Sequence, residues 1–274
     1  MISTTHTVTL DEGDLDVTVD LHGVDLHGEK GHPFLLLHGG GGPQTVAPFA
    51  HLLAEQRPAR VFAPVHPGFG GTARPDWLTD VTTLAQAYIR LLEVLGLEDV
   101  AVVGNSIGGW ITAEIAALGS HRITSVTLIN AVGIDVPGHP VADTFPLTPV
   151  ELSRLSFHDP SKFRFDPSSL SDEQRAVMAG NRTALQIYAG PDNMADPTLR
   201  ERLAKATVPS LVAWGESDRV VDADYGRAYA AAIPGARFEL LPSTGHMPQV
   251  ETPGHLLPLI WDFADAHATN RPTG

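Results

Sequence analysis

Six residues near the middle of the chain, "GNSIGG" at 104–109, carry the first sign of chemistry. Ser106 has glycines two positions before and two after it, behind the apolar run "VAVV" and ahead of "WITAEIAAL". A strand that turns abruptly into a helix needs small residues at those spacings, because larger side chains beside the bend would strike the sheet. Such a bend exposes the serine hydroxyl, and the helix N-terminus behind it favours developing negative charge. Taken alone, the pattern also fits a glycine-flanked helix start whose serine only caps.

A hydroxyl becomes a useful nucleophile when a base takes its proton, and the base needs a group to orient it. In the order serine, acid, histidine, "WGESDRVVD" supplies Asp218 and "STGHMPQVE" supplies His246. Glu216, Asp222 and Asp224 are rival acids, and His246 is one of 13 histidines. "FLLLHGGGGP" contributes His38 and four glycines whose N–H groups can approach a ligand unobstructed. Gly40 and Ile107 are the expected oxyanion donors, with Gly41 as a third.

These groups lie far apart in the chain, so a scaffold must bring strand tips together. Apolar runs at 33–38, 60–64, 100–104, 123–130, 210–215 and 237–241 predict buried parallel strands, and the first 21 residues alternate like strands. Between the runs lie helical patterns. "TDVTTLAQAYIRLLEVLGL" places Leu84, Tyr88, Leu91, Leu92 and Leu95 on one face, with a cap at Thr79 or Asp80 and an end at Gly96. Alternating strand and helix predicts a doubly wound α/β sheet, in which ligands bind beyond the carboxyl ends of the strands.

One segment breaks the alternation. Residues 135–205 are dense in proline and serine, with short helical stretches and no convincing strand. They hold 8 basic and 10 acidic residues, leaving 10 basic and 22 acidic for the rest of the chain. We read 135–205 as an insertion. The net charge of −14 disfavours nucleic acid and anionic membranes as partners. No run approaches the length of a membrane span, and the acidic N-terminus does not read as a signal peptide, so a cytoplasmic protein is expected. With no cysteine there is neither a disulfide framework nor a thiolate metal site.

Together "HGGGG", "HPGFGGT", "GNSIGG", "WGESD" and "GHMPQVE" resemble the α/β-hydrolase fold family over nearly the whole chain. The resemblance implies a mostly parallel eight-stranded sheet with helices on both faces. It divides the chain into core (1–134), helical cap (135–205) and core again (206–274). It also implies a serine hydrolase of small-molecule carboxylic esters: Ser106 attacks, His246 is base and then acid, and Asp218 fixes the imidazole. No metal or organic cofactor is called for. Aspartate-elbow relatives such as haloalkane dehalogenases are disfavoured by the serine. "HGGGGP" with "GNSIGG" is similar to serine-dependent carbon–carbon bond hydrolases of ring-fission products, which usually carry G-N-S-M-G-G. Here Ile107 replaces the methionine, and Met247 follows the histidine where those enzymes often have tryptophan. Arg182 in "AGNRTAL" resembles the substrate-contacting arginine of their cap helix. His38, Asn105, Trp110, Arg182 and Met247 are accordingly the expected substrate contacts. A non-catalytic ligand-binding protein of the same fold is the reading of another class.

Three further signals are weighed. "GFGGTA" at 68–73 matches a dinucleotide fingerprint, but "RPDW" follows where a helix should begin. His22, His27 and His32 lie five apart, a spacing that suits solvated loop histidines better than a metal site. Trp77, Trp110, Phe145, Phe157, Phe163, Phe165 and Tyr188 are aromatic candidates for lining an apolar acyl pocket or for plain core.

Overall fold

Exposed and buried positions alternate along Ile2–Leu10 (β1) and Gly13–His22 (β2), which pair antiparallel from Leu10↔Gly13 to Ile2↔Leu21. The next strands, His32–Leu37 (β3), Ala59–Pro64 (β4), Val100–Asn105 (β5), Ile123–Ile129 (β6) and Ser210–Gly215 (β7), are almost wholly buried, and Arg237–Leu241 (β8) forms the far edge. All six apolar runs are strands, each end within one residue of expectation. The computed structural model describes residues 2–27, 30–163, 167–190 and 194–269. Its sheet runs β1-β2-β4-β3-β5-β6-β7-β8, antiparallel at β1–β2 and β2–β4 and parallel elsewhere.

Helices cover both faces. In chain order they are α1 (Val24–His27), α2 (Ala47–Gln56), α3 (Val81–Val94), α4 (Ile107–Leu118), α5 (Pro149–Ser156), α6 (Asp172–Ala189), α7 (Leu199–Leu203), α8 (Ala223–Ala232), α9 (Pro248–Glu251) and α10 (Pro253–His267). Because neighbouring strand residues point to opposite faces, Leu35 and Leu37 join one core with α3 and α4, while Phe34 and Leu36 join another with α2 and α10. Asp80 caps α3 by accepting from the Thr83 N–H at 2.8 Å; of the five residues expected on its apolar face Leu84, Tyr88, Leu91 and Leu92 are buried, while Leu95, the C-cap, is half-buried. Gly96 follows the helix at φ 62°, in the left-handed region that glycine tolerates.

Between β6 and β7 lie α5, α6 and α7. Capping boxes start two of them, Thr148 with Glu151 and Ser171 with Gln174. At 18 residues, α6 is longer than the short stretches its sequence suggested. His22 and His32 correct the expectation of solvated histidines. His22 ends β2 opposite Val61, His32 opens β3 with its Nε2 3.0 Å from the Asp99 carbonyl, and both are buried. Burial lowers both pKa values. Among the described residues no cluster of three His, Asp or Glu is arranged to hold a metal. No described helix is long and apolar enough to cross a membrane.

Candidate active site

β5 ends at Asn105 and α4 begins at Ile107, so Ser106 alone makes the bend. Its backbone is at φ 58°, ψ −119°, a conformation costing a non-glycine residue about 1–3 kcal/mol. The flanking glycines are sterically compelled. A β-carbon on Gly104 would lie 2.1 Å from the Gly108 carbonyl oxygen, and one on Gly108 would lie 2.4 Å from that of Leu37.

The bend aims Ser106 Oγ at His246, whose Nε2 lies 2.9 Å away. His246 Nδ1 lies 2.8 Å from Asp218 Oδ2. Asp218 Oδ2 also accepts from Asn130 Nδ2 at 2.7 Å, and Oδ1 accepts from the N–H groups of Val220 and Val221 at 2.8 and 3.2 Å. With both carboxylate oxygens acting as acceptors, the proton of the neutral imidazole sits on Nδ1. The Nε2 lone pair then faces the serine hydroxyl.

The rival acids are engaged elsewhere. Asp222 caps α8 through the Tyr225 N–H and pairs with His139; Asp224 pairs with Arg227; Glu216 accepts from the Ser243 N–H.

Beside the serine runs the glycine loop after β3. A β-carbon on Gly39 would stand 3.3 Å from Ser106 Cβ, so this loop passes directly against the bend. The N–H groups of Gly40, Gly41 and Ile107 make no hydrogen bond to any described residue. Free donors on the glycine loop and at the first residue of α4, beside one hydroxyl, are what a developing oxyanion requires.

Several expected substrate contacts have other roles. His38 is fully buried: its Nε2 accepts from the His66 N–H at 3.0 Å, so Nδ1 carries the proton and donates to the Gly39 carbonyl at 2.8 Å. Burial pushes its pKa down to about 4. His66 Nε2 donates to the His38 carbonyl and Nδ1 accepts from the Tyr88 hydroxyl, which locks the loop root from behind. Asn105 is buried, donates to the carbonyls of His246 and Ile129, and accepts from Gln249 Nε2. Trp110 is buried against Gly133, with its indole N–H directed at Glu114. Arg182 is exposed, because α6 turns its neighbour Asn181 inward instead. Met247 is half-buried at the start of α9.

Among the aromatic candidates, Phe157 and Phe163 stack at 4.4 Å, Tyr188 is buried, and Phe145 and Trp77 pack against the core. Phe165 lies outside the described residues.

The sequence reading missed Asn130 and Glu251. Asn130 adopts φ 45° to reach Asp218, and its only signal was a position just past a strand end. Glu251 accepts from the N–H groups of Gly245, His158 and Asp159, while the His246 N–H donates to the Ser156 carbonyl at 2.7 Å. The histidine loop is thereby mounted on the chain that follows α5.

A mostly parallel eight-stranded sheet that offers a serine at a central strand tip is the architecture of the α/β hydrolases. This chain belongs to the alpha/beta hydrolase family, whose model matches residues 34–257. The 2-hydroxymuconate semialdehyde hydrolase of Pseudomonas putida is 26% identical over 261 residues, covering 89% of this chain and 92% of that protein. The dihydrolipoyllysine-residue acetyltransferase component of the acetoin cleaving system of Pseudomonas putida is 29% identical over 241 residues, or 83% of this chain. The match spans 62% of that relative's length. A thermophilic esterase from Thermogutta terrifontis superposes with a TM-score of 0.74 at 22% identity, over 98% of this chain and 100% of that one.

Proposed function

We propose that this protein hydrolyses small-molecule carboxylic esters through an acyl-enzyme on Ser106. His246 Nε2 takes the hydroxyl proton as Oγ attacks the ester carbonyl. The N–H groups of Gly40 and Ile107, with Gly41 beside them, receive the oxyanion. The same imidazole then gives its proton to the departing alkoxide. Water, deprotonated by His246, attacks the acyl group, and collapse of the second tetrahedral species returns the serine. Asp218 holds the imidazole in the tautomer this sequence needs. Residues 135–205 act as a cap over the carboxyl ends of the strands.

The observation that carries this reading is the continuous path from Ser106 Oγ through His246 to Asp218, at 2.9 and 2.8 Å. A ligand-binding protein would have no use for a serine strained to φ 58° against a base. Ester rather than carbon–carbon cleavage is favoured by the exposure of Arg182, the residue on which an anionic ring-fission substrate would have depended.

The test is a series of p-nitrophenyl esters of graded acyl length beside one vinylogous ring-fission diketone, with a fluorophosphonate probe for the nucleophile. Wild type should turn over esters and take one probe. Ser106→Ala should lose the label and lower turnover by about 10⁴-fold or more. Labelling that survives the substitution defeats the assignment, and preferential turnover of the diketone defeats the substrate class.

A further inference from the structure

Along α6, Asn181, Ala184, Leu185 and Tyr188 occupy positions i, i+3, i+4 and i+7, one face of the helix. That face lies on two glycine loops, 40–42 after β3 and 68–71 after β4. Asn181 is 3% exposed and joins both: its Nδ2 donates to the Gly41 carbonyl at 3.2 Å, and its Oδ1 accepts from the Gly70 N–H at 2.8 Å. The helix face and the glycines of the loops are in close contact. A β-carbon on Gly42 would lie 2.5 Å from Asn181 Nδ2, one on Gly40 would lie 2.6 Å from Leu185 Cδ2, and one on Gly68 would lie 2.9 Å from Ala184 Cβ. One turn beyond, the Tyr188 hydroxyl donates to the Pro67 carbonyl at 3.0 Å.

We infer that Asn181 is a positioning residue for the oxyanion donors, holding the 40–42 loop at the height of the Ser106 bend from the cap side. The inference rests on the reading of Gly40 and Ile107 as those donors. Glycine loops have the largest conformational freedom of any backbone, so a donor on one is only as well placed as its neighbours make it. From below, His38 and His66 fix the loop root. At the loop itself, Gln44 Nε2 also donates to the Gly41 carbonyl, but Gln44 is exposed and belongs to the same loop. Asn181 ties the loop to other elements, to α6 and to the loop after β4. Its two amide atoms do different work, the nitrogen on the oxyanion loop and the oxygen on Gly70. Asn181→Asp keeps shape and acceptor but removes the donor, leaving a carboxylate oxygen against the Gly41 carbonyl.

Asn181→Asp and Asn181→Ala are to be compared with wild type by kcat and KM on p-nitrophenyl butyrate, by Ki for an aryl trifluoromethyl ketone, and by thermal unfolding. The ketone adduct with a serine carries an oxyanion, so its Ki reads the donors directly. In both variants kcat should fall and Ki rise by about 10- to 100-fold, the effect of a misplacement near 1 Å, while KM stays within about threefold. The aspartate variant should unfold below the wild-type temperature, because a buried carboxylate oxygen then faces a carbonyl, yet remain folded at the assay temperature. A folded aspartate variant with wild-type Ki and kcat overturns the inference. So does a parallel rise of KM and Ki, which would mark a general loss of the pocket. Wild type that neither forms the ketone adduct nor turns over the ester overturns the serine-hydrolase reading, and this inference with it.

Discussion

Asp218 and Asp222 stand four residues apart in one loop, and their hydrogen bonds separate them. Asp218 is 5% exposed and takes donors from His246, Asn130, Val220 and Val221, whereas Asp222 serves the start of α8 and His139. Asp218→Asn can accept at one atom only, and its amide donor would face His246 Nδ1, so the imidazole loses the tautomer that leaves Nε2 free. Turnover should fall by about 10⁴-fold with the fold retained. Asp222→Asn keeps a good helix cap and should retain near-wild-type turnover. Steady-state rates with circular dichroism decide the matter; greater damage from Asp222→Asn would mean that the acid has been misassigned.

The elements that carry the site are joined by a buried charge. Glu114 lies inside α4, eight residues beyond Ser106, and is 0% exposed. Arg202 of α7 reaches it with both terminal nitrogens, at 2.5 and 2.9 Å, and also pairs with Asp196. The Glu114 bond is the leading cause that raises the Arg202 pKa far above its ordinary value. The pair fixes α4, the helix that follows Ser106, to the chain between β6 and β7. Arg202→Ala would strand the Glu114 carboxylate in the core and should destabilise the protein by about 3–5 kcal/mol. Urea unfolding measures this. A loss below about 1 kcal/mol would mean that water reaches Glu114 or that another group replaces the guanidinium.

For the molecule as a whole, buried histidines make stability depend on pH. His38 and His66 are neutral inside the fold, with pKa values lowered by burial to about 4 for His38 and well below 6.5 for His66. Unfolding restores the ordinary value, so the unfolded chain binds protons that the folded chain refuses. Their contribution is complete above about pH 6.5 and is lost as pH falls toward 4; for His38 alone this amounts to roughly 3 kcal/mol. The half-buried His139 works oppositely, since its bond to Asp222 raises its pKa and favours the fold at lower pH. Desolvation wins because it acts on fully buried rings. The urea midpoint should therefore drop between pH 7 and pH 5, measured in salt high enough to screen the −14 net charge. An unchanged midpoint would show that the His38–His66 pair does not stay neutral in the fold.

What the sequence by itself determined is what local sterics and periodicity determine. Five of the six apolar runs are inner strands, which a sheet covered on both faces buries along nearly their whole length, and the sixth, 237–241, is the half-buried edge strand β8. Spacing placed Ser106 on a tight strand-to-helix bend, because Gly104 and Gly108 are demanded by contacts within that bend and the strand beside it. The approach of Asp218 and His246 followed from chain order once a parallel sheet was expected. Other assignments needed the assembled fold. In "AGNRTAL" the inward residue is Asn181 and not Arg182, because the phase of α6 is set by the fit of one face onto two glycine loops more than a hundred residues away. His38 and Asn105 read as polar groups at strand tips near a reactive serine, yet packing turns both behind it, where they satisfy buried backbone groups. Glu114 and Arg202 are 88 residues apart in sequence, and only the docking of α7 on α4 makes them a pair. Such choices depend on which buried polar atoms meet, and a buried polar atom finds its partner only once distant segments have packed.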